Sequence, residues 1–171
     1  MRTLFALLSR WPLWALHALG ALCGWLAFGL SSRYRRHFLA NLRQAGYSFW
    51  QLPGAVGEAG KLIAELPRLW MGTPPPLQWD GAELIDEAHA QGRGIVFLTP
   101  HLGCFEVAAQ GYAQRCGPAR SITVLYRPAR KPWLRELVDH ARNRPGLASA
   151  PTTLAGVRQM IKALKSGEAV G

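Results

Sequence analysis

The fold of this chain is decided by the stretch Gly94-Ile95-Val96-Phe97-Leu98-Thr99-Pro100-His101-Leu102-Gly103-Cys104-Phe105-Glu106. Its run Ile95–Leu98 is β-branched and aromatic, which predicts a short strand buried on both faces. Pro100 cannot continue a ladder of backbone hydrogen bonds, and Gly103 allows a sharp turn, so we expect a helix over 104–115. His101 therefore falls in the strand-to-helix turn, with Glu106 in the first turns of the helix.

His101 and Glu106 are the candidate catalytic pair. A carboxylate on imidazole Nδ1 fixes the tautomer, leaves Nε2 as the basic nitrogen and stabilises the imidazolium. No serine or threonine of the turn is placed to act as a nucleophile, so we expect a substrate hydroxyl, deprotonated by His101, to attack an acyl donor directly. On these two residues alone, a polar pair at the start of a helix explains the pattern equally well.

The composition bounds the class of protein. The chain has 171 residues, 49% of them hydrophobic and 18% charged, which fits one folded domain and excludes a disordered chain. Its net charge of +10 favours an anionic partner, either nucleic acid or anionic lipid. The three cysteines are widely spaced, so the sequence indicates neither a disulfide framework nor a zinc site, and a reducing compartment is the natural inference.

The N-terminal region contains twenty residues without a formal charge, Trp11–Leu30. At about 1.5 Å of rise per residue this is about 30 Å of helix, the thickness of the hydrocarbon core of a bilayer. More arginines follow the span than precede it, which predicts that the rest of the chain is cytoplasmic. A buried hairpin or a helix on the membrane surface is the open alternative, because Gly20, Gly24 and Gly29 weaken an isolated helix.

The remaining elements predict an α/β domain behind a helical segment. Ser31 and Ser32 cap a basic helix over 33–45, a helix over 52–71 follows, and 72–76 breaks the chain. Beyond it we expect helices over 81–90, 104–115, 132–142 and 153–165, strands over 95–98 and 122–126, a loop over 143–146 and a strand opening at Glu168. This alternation indicates a mainly parallel sheet with helices on both faces. The predicted domains are an N-terminal membrane anchor (1–32), a helical membrane-proximal segment (33–76) and the α/β domain (77–171).

Arg127 ends the second predicted strand, at the same sheet edge as His101. Its planar guanidinium suits a phosphate or a developing oxyanion, and a salt bridge to Glu106 or Asp139 is the alternative. Gly103, Arg130 and Lys131 complete the predicted substrate-binding residues, and no metal site is predicted. The other histidines have no acidic partner at a useful spacing and are interpreted as structural: His17, His37, His89 and His140.

Two blocks carry a family resemblance. Pro-His-Leu-Gly-Cys-Phe-Glu, residues 100–106, resembles the His-x4-Asp/Glu motif of the glycerolipid and lipid A acyltransferase (lysophospholipid acyltransferase) superfamily, in its glutamate form. Residues 122–128 resemble that superfamily's second block, whose arginine is associated with substrate phosphate. The whole chain resembles the Kdo2-lipid A lauroyl/myristoyl acyltransferases. Cys104 and Phe105 depart from the Asn-Trp that this family often carries.

The resemblance implies a glycerolipid acyltransferase-like fold and an O-acyltransferase of the bacterial inner membrane, its catalytic part facing the cytoplasm, in lipopolysaccharide biosynthesis. It implies acyl carrier protein or coenzyme A as the carrier of the acyl thioester, a phosphorylated glycolipid such as a lipid A precursor as acceptor, and no metal or redox cofactor. A further region with a third block follows in that family, so the chain resembles a C-terminally truncated member, and we expect it to be poorly stable or inactive alone.

Three alternatives stay open. The acceptor is a lysophospholipid or another glycolipid in the first. In the second, Cys104 is a thiol nucleophile paired with His101. In the third, the chain is a basic membrane-binding fragment without chemistry. Nucleic acid is not an expected partner, because no aromatic and basic motif of a known nucleic-acid module is present.

Overall fold

A computed structural model describes residues 2–73, 76–142 and 144–171. The chain divides into two compact units: Leu4–Arg68 forms one, and Leu69–Gly171 forms most of the other. The predicted break over 72–76 includes residues 74 and 75, and the predicted loop over 143–146 includes residue 143; these three lie outside the described residues.

The first unit is helical. Its elements are most of α1 (Arg2–Leu8), α2 (Leu13–Leu30), α3 (Ser32–Gln44), a 3-10 turn (Phe49–Gln51) and most of α4 (Ala55–Met71). The last three residues of α4, Leu69–Met71, belong to the second unit. Pro12 precedes α2 in extended backbone, so the predicted span 11–30 begins two residues later. In the described part of the chain, α2 is the one helix long and apolar enough to cross a membrane. The predicted cap of α3 is confirmed, because the Ser31 side chain accepts a hydrogen bond from the Tyr34 amide at 3.2 Å.

Glycines let α2 and α4 approach each other closely. A Cβ at Gly24 would lie 2.5 Å from the Val56 carbonyl oxygen, and one at Gly60 would overlap the backbone of Gly20. Next to this crossing, His17 Nε2 lies 2.6 Å from Glu65 Oε1. His17 was interpreted as structural because no acidic residue lies at a useful sequence spacing; its partner is 48 residues away, and only the helix packing brings it near.

The second unit contains a parallel sheet. Its elements are α5 (Ala82–Ala90), β1 (Ile95–Val96), α6 (Glu106–Cys116), β2 (Ile122–Tyr126), α7 (Pro132–Arg142), β3 (Leu147–Pro151), α8 (Leu154–Lys165) and β4 (Ala169–Val170). The strand order is β1-β4-β2-β3 and every pairing is parallel. Right-handed crossovers place α6 and α7 on one face of this sheet and α8 on the other. The predicted α/β class, a mainly parallel sheet with helices on both faces, is confirmed.

Two strands differ from prediction. The strand expected over 95–98 has two residues, and it is not buried on both faces, because Val96 is 59% exposed and Leu98 90% exposed at the edge of the sheet. The sequence Leu-Ala-Ser-Ala-Pro at 147–151 was not predicted to be a strand, but it forms β3. Its proline is tolerated because β3 lies at the other edge.

The core of this unit lies between α6 and the sheet. Tyr112 and Ala113 of α6 pack with Ile122, Leu147 and Ala169 from three different strands. The chain enters β1 through Gly94, whose φ is +74°, and a Cβ there would lie 2.6 Å from the Leu164 carbonyl oxygen. A glycine is therefore required where the stretch that carries His101 begins.

Candidate active site

His101 lies in the loop that follows β1, in a strained backbone conformation. Its φ of +54° makes it the one non-glycine residue with positive φ in the described part of the chain. Such backbone costs about 1–3 kcal/mol and is concentrated at functional sites. The ring lies against Phe105, with their centroids 4.5 Å apart. His101 thus lies in a loop, outside regular secondary structure, and its side chain is exposed.

The Thr99 carbonyl oxygen selects the His101 tautomer. His101 Nδ1 lies 3.3 Å from this oxygen, which can only accept, so Nδ1 carries the proton of this hydrogen bond. In the neutral imidazole this leaves Nε2 as the acceptor nitrogen, and Nε2 has no hydrogen-bond partner among the described residues. The imidazole is arranged to accept a proton at Nε2.

Glu106 is the first residue of α6, and both of its carboxylate oxygens are occupied. Arg142 Nη2 donates to Oε1 in a close ion pair, and Trp70 Nε1 donates to Oε2 at 3.2 Å. The Glu106 side chain is only 9% exposed. Arg142 also lies over the Tyr126 ring, 5.7 Å from its centroid.

The predicted contact between His101 and Glu106 is not formed in this structure. Each has other hydrogen-bond partners, and none of the bonds within 2–73, 76–142 and 144–171 joins the two side chains. The physical reason is that a guanidinium and an indole N–H already satisfy the carboxylate. Sequence reasoning missed Arg142 and Trp70 because each lies 36 residues from Glu106, with no local pattern linking them.

His101 and Glu106 nevertheless border one cavity of about 250 Å³ between α6 and the sheet. Most of its wall is apolar, including Phe97, Ile122 and Val124. Its polar lining comes from a small number of side chains: Thr99, His101, Glu106, Gln110, Tyr112 and Arg142. An apolar cavity with a basic imidazole at its wall suits a lipid chain whose reacting end is polar.

The predicted substrate-binding residues lie on exposed loops. Arg127 directly follows β2, and Arg130 and Lys131 precede α7; all three are exposed, and none forms an ion pair among the described residues. The alternative reading of Arg127 as a salt-bridge partner is not realised, because Glu106 pairs with Arg142 and Asp139 accepts from the Tyr126 hydroxyl at 3.2 Å. Gly103 has φ +57°, which gives the sharp turn before α6.

Residues 57–171 match the family model for bacterial lipid A biosynthesis acyltransferases. The match covers more than half of the chain and includes His101, Glu106 and Arg127. The chain belongs to the bacterial lipid A biosynthesis acyltransferase family. No curated protein matches it individually. Membership of this family supports acyltransferase chemistry and implies a lipid acceptor and an acyl donor.

Two tyrosines of this acyltransferase have raised pKa values, and of these Tyr112 lines the cavity. Burial raises the pKa of Tyr126, and its hydrogen bond to Asp139 raises it further. Burial raises the pKa of Tyr112 as well, with an additional contribution from Cys116. His89 Nε2 lies 2.7 Å from the Tyr112 hydroxyl, and burial lowers the His89 pKa, with Arg120 adding to the effect. These hydroxyls therefore act as hydrogen-bonding groups and not as bases.

Proposed function

We propose that this acyltransferase moves a fatty acyl group from a thioester to a hydroxyl of a phosphorylated glycolipid, a lipid A precursor. The observation that carries the proposal is that His101 and Glu106, the histidine and the glutamate of the His-x4-Glu motif, border one apolar cavity inside the region that matches the family. A lauroyl or myristoyl transferase is the kind of member the sequence resembles.

His101 is the proposed general base. Its Nε2 removes the proton from the acceptor hydroxyl, and the resulting oxygen attacks the thioester carbonyl carbon. The new C–O bond forms, the C–S bond breaks, and the imidazolium returns its proton to the departing thiolate. The thioester of acyl carrier protein or coenzyme A supplies the driving force, so the proposed step uses no further cofactor.

Glu106 is proposed to stabilise the imidazolium. To contact the His101 ring, its carboxylate has to exchange the Arg142 guanidinium for the imidazole. Arg142 is then released to an anionic group at the cavity wall, so that substrate binding and assembly of the His101–Glu106 pair accompany each other. Arg127, Arg130, Lys131 and the Gly103 turn are the proposed contacts to substrate phosphate, which a guanidinium binds with two parallel hydrogen bonds.

The proposed location is the cytoplasmic side of the bacterial inner membrane. The apolar helix α2 supports this proposal, since several of its large side chains are exposed, Trp14 by 74% and Leu22 by 58%. The basic helix α3 follows it directly and suits anionic headgroups. In this proposal residues 1–32 anchor the chain, 33–76 form the membrane-proximal segment and 77–171 form the acyltransferase domain.

Mass spectrometry of membrane glycolipids tests the proposal. Cells that carry the reading frame containing this sequence are compared with cells that lack it and with cells that carry His101→Ala. We expect one acyl group to be missing from the glycolipids in the last two, with the His101→Ala protein still present in the membrane fraction. Identical glycolipids in all three would refute the proposal, and the mass of the missing group gives the chain length.

Cys104→Ser separates direct transfer from a thiol nucleophile. Direct attack by the acceptor hydroxyl predicts that Cys104→Ser keeps the acyl group on the glycolipid. An acyl-enzyme predicts that Cys104→Ser removes it while His101→Ala leaves some transfer.

A further inference from the structure

The packing of α4 on α2 brings charged side chains beside the middle of the apolar helix. The two helices run antiparallel: a Cβ at Gly24 would lie 2.5 Å from the Val56 carbonyl oxygen, and one at Gly20 would lie 2.8 Å from Lys61 Cα. Gly20 is near the middle of the 18-residue helix α2, so Lys61 is level with that middle. Glu58 lies three residues before Lys61, which is about 4.5 Å along α4.

These two charges are exposed at the surface of the helix pair. The side chains of Glu58 and Lys61 are 68% and 31% exposed, and they form an ion pair at 2.6 Å. If α2 crossed a bilayer, this ion pair would lie near the middle of the hydrocarbon core, in contact with lipid. Charged side chains at that depth are costly, and they almost always face a protein interior or a water-filled cavity. The position of α4 therefore does not suit an α2 that crosses the membrane.

Charged and apolar side chains lie on different sides of α4. Its charged residues recur every three or four positions and so form one stripe, named here the charged stripe: Glu58, Lys61, Glu65 and Arg68. Ile63 is 65% exposed. At 3.6 residues per turn it lies about 160° around the helix from both Lys61 and Glu65. It is therefore on the side of α4 opposite to the charged stripe.

The same division continues on α2. His17 faces the charged stripe, because its Nε2 lies 2.6 Å from Glu65 Oε1. Leu22 and Leu26 are 58% and 52% exposed. They lie about 140° and about 180° around α2 from His17. Both helices therefore present hydrocarbon on one side of the pair, through Leu22, Leu26 and Ile63, and charge on the other.

We propose that the pair of α2 and α4 lies along a single leaflet of the membrane and that α2 does not cross it. The side with Leu22, Leu26 and Ile63 is buried among the acyl chains, and the charged stripe faces headgroups and water. Lipid is the occupant that the charge fits, because α3 begins directly after α2 and exposes Arg33 and Arg36, which suit anionic headgroups. The inference rests on the proposed membrane location and is independent of acyl transfer.

Alkylation of two matched cysteine variants tests the proposal. Glu58→Cys and Ile63→Cys both replace exposed residues of α4, one on each side. Inverted membrane vesicles are treated with an impermeant maleimide, and peptide mass spectrometry identifies the modified cysteine, so the native cysteines stay in place. We expect Ile63→Cys to react about tenfold or more slowly than Glu58→Cys, because a thiol surrounded by hydrocarbon rarely ionises. Protection of both, as in a crossing α2, or equal reaction of both, as without lipid contact, would overturn the proposal.

Two further positions report whether α2 crosses. Thr3 and Gln44 are exposed and lie before and after α2 in the chain. In the inverted vesicles, Thr3→Cys and Gln44→Cys should both react from outside, since a pair of helices in one leaflet leaves both positions on the cytoplasmic side. Reaction of Thr3→Cys only after the vesicles are permeabilised would overturn the proposal.

Wild-type Cys23 needs no substitution and so does not depend on a variant that folds. It is exposed in the structure and follows Leu22 in α2. In vesicles Cys23 should be protected, and it should stay protected as the ratio of lipid to protein is raised, whereas a second copy of the chain would dissociate on dilution. Protection lost on dilution, or Cys23 reacting as fast as Glu58→Cys, would overturn the proposal. Acyl transfer is measured on the same vesicles, and its absence with the labelling pattern intact refutes the proposed function alone.

Discussion

At the scale of single residues, Glu106 carries two roles that a short motif cannot distinguish. Its carboxylate pairs with Arg142 and Trp70 in a largely buried position, and it is also the proposed partner of His101. The first role is structural: it ties the start of α6 to the end of α7 and to Trp70. The second requires the carboxylate to leave that arrangement, so the two roles respond differently to substitution.

Glu106→Ala is expected to lower the free energy of unfolding by about 1–3 kcal/mol, because the Arg142 guanidinium loses its buried counter-charge. Arg142→Gln should lower the free energy of unfolding by a similar or smaller amount. It should keep part of the proposed acyl transfer, since the proposed base His101 and the Glu106 carboxylate both remain. Urea unfolding and product mass spectrometry on the same preparations check this. The control is Glu87→Ala, which removes an exposed carboxylate from α5 and should change neither the free energy of unfolding nor acyl transfer. Loss of transfer in Arg142→Gln equal to that in His101→Ala would contradict the prediction.

His89 gives the chain a pH-dependent stability. Its pKa is lowered from 6.5, chiefly by burial, so the unfolded chain takes up a proton before the native one does as pH falls. The stabilising contribution is therefore complete above about pH 6.5, the unfolded value, and is lost as pH falls through the native pKa. Urea unfolding between about pH 8 and pH 5 should show the decline. His89→Gln, which can still bond the Tyr112 hydroxyl, should flatten the curve over this window, and parallel curves for the two proteins would contradict the assignment.

At the scale of elements, close packing of α2 against α4 depends on glycine. We expect Gly60→Ala to destabilise the protein by about 1–3 kcal/mol, because the added methyl overlaps the Gly20 backbone and this exceeds the gain in helix propensity. Gly29→Ala is the matched control: it also lies in a helix, but its Cβ would meet nothing within 4 Å, so a gain of about 0.5–1 kcal/mol is expected. Thermal unfolding of the wild type and both variants in the same detergent measures the change in Tm. Equal changes in Tm for Gly60→Ala and Gly29→Ala would contradict the packing argument.

Elements with strong local signals could be predicted from the sequence, and those fixed by long-range pairing could not. The run Ile122–Tyr126 and the helix Pro132–Arg142 match their predicted bounds, because a β-branched run and an amphipathic repeat specify them locally. β3 has weak strand propensity, and it forms because all five of its residues pair with β2. The same limit applies to the site. His101 was placed by its proline and glycine neighbours, whereas Arg142 reaches Glu106 only through the folded sheet.

At the scale of the α/β unit, β4 joins the two strands that carry the candidate site. It lies between β1 and β2, and backbone bonds run from Phe97 N–H to the Val170 carbonyl and from Leu125 N–H to the Gly171 carbonyl, each at 2.8 Å. Because all strands are parallel, the loops that carry His101 and Arg127 both begin at the carboxyl ends of their strands, on the same side of the sheet. β1 and β2 are two strand spacings apart, so the two loops begin about 10 Å from each other. That separation suits one substrate with a reacting hydroxyl and a phosphate.

If Arg127 has its proposed role, Arg127→Ala should raise KM for the phosphorylated acceptor by about tenfold or more while changing kcat less, since in that role the guanidinium binds phosphate and takes no part in proton transfer. Arg158→Ala removes an exposed arginine from α8 and is the control. Steady-state kinetics with acceptors that carry or lack the phosphate check the assignment. An Arg127→Ala effect of equal size on the acceptor without phosphate would contradict it.

The net charge of +10 attracts the whole chain to any anionic surface. A basic helix that contacts the membrane would instead attract the chain through that one segment. In α3, Arg35 donates to the Phe28 and Gly29 carbonyl oxygens at the end of α2, while Arg33 and Arg36 are exposed. Arg33→Gln with Arg36→Gln should weaken binding to vesicles rich in anionic lipid by about 30-fold, at about 1 kcal/mol for each arginine near the surface.

Arg158→Gln with Lys162→Gln in α8 is the control for that pair, because it removes the same two charges from exposed positions. If α3 contacts the headgroups, the α8 pair should weaken vesicle binding only slightly, and the difference between the two pairs should shrink as added salt shortens the range of the charge interaction. Sedimentation with vesicles at low and high salt measures both. Equal losses for the two pairs would mean that net charge alone attracts the chain to the surface, and that α3 has no special place there.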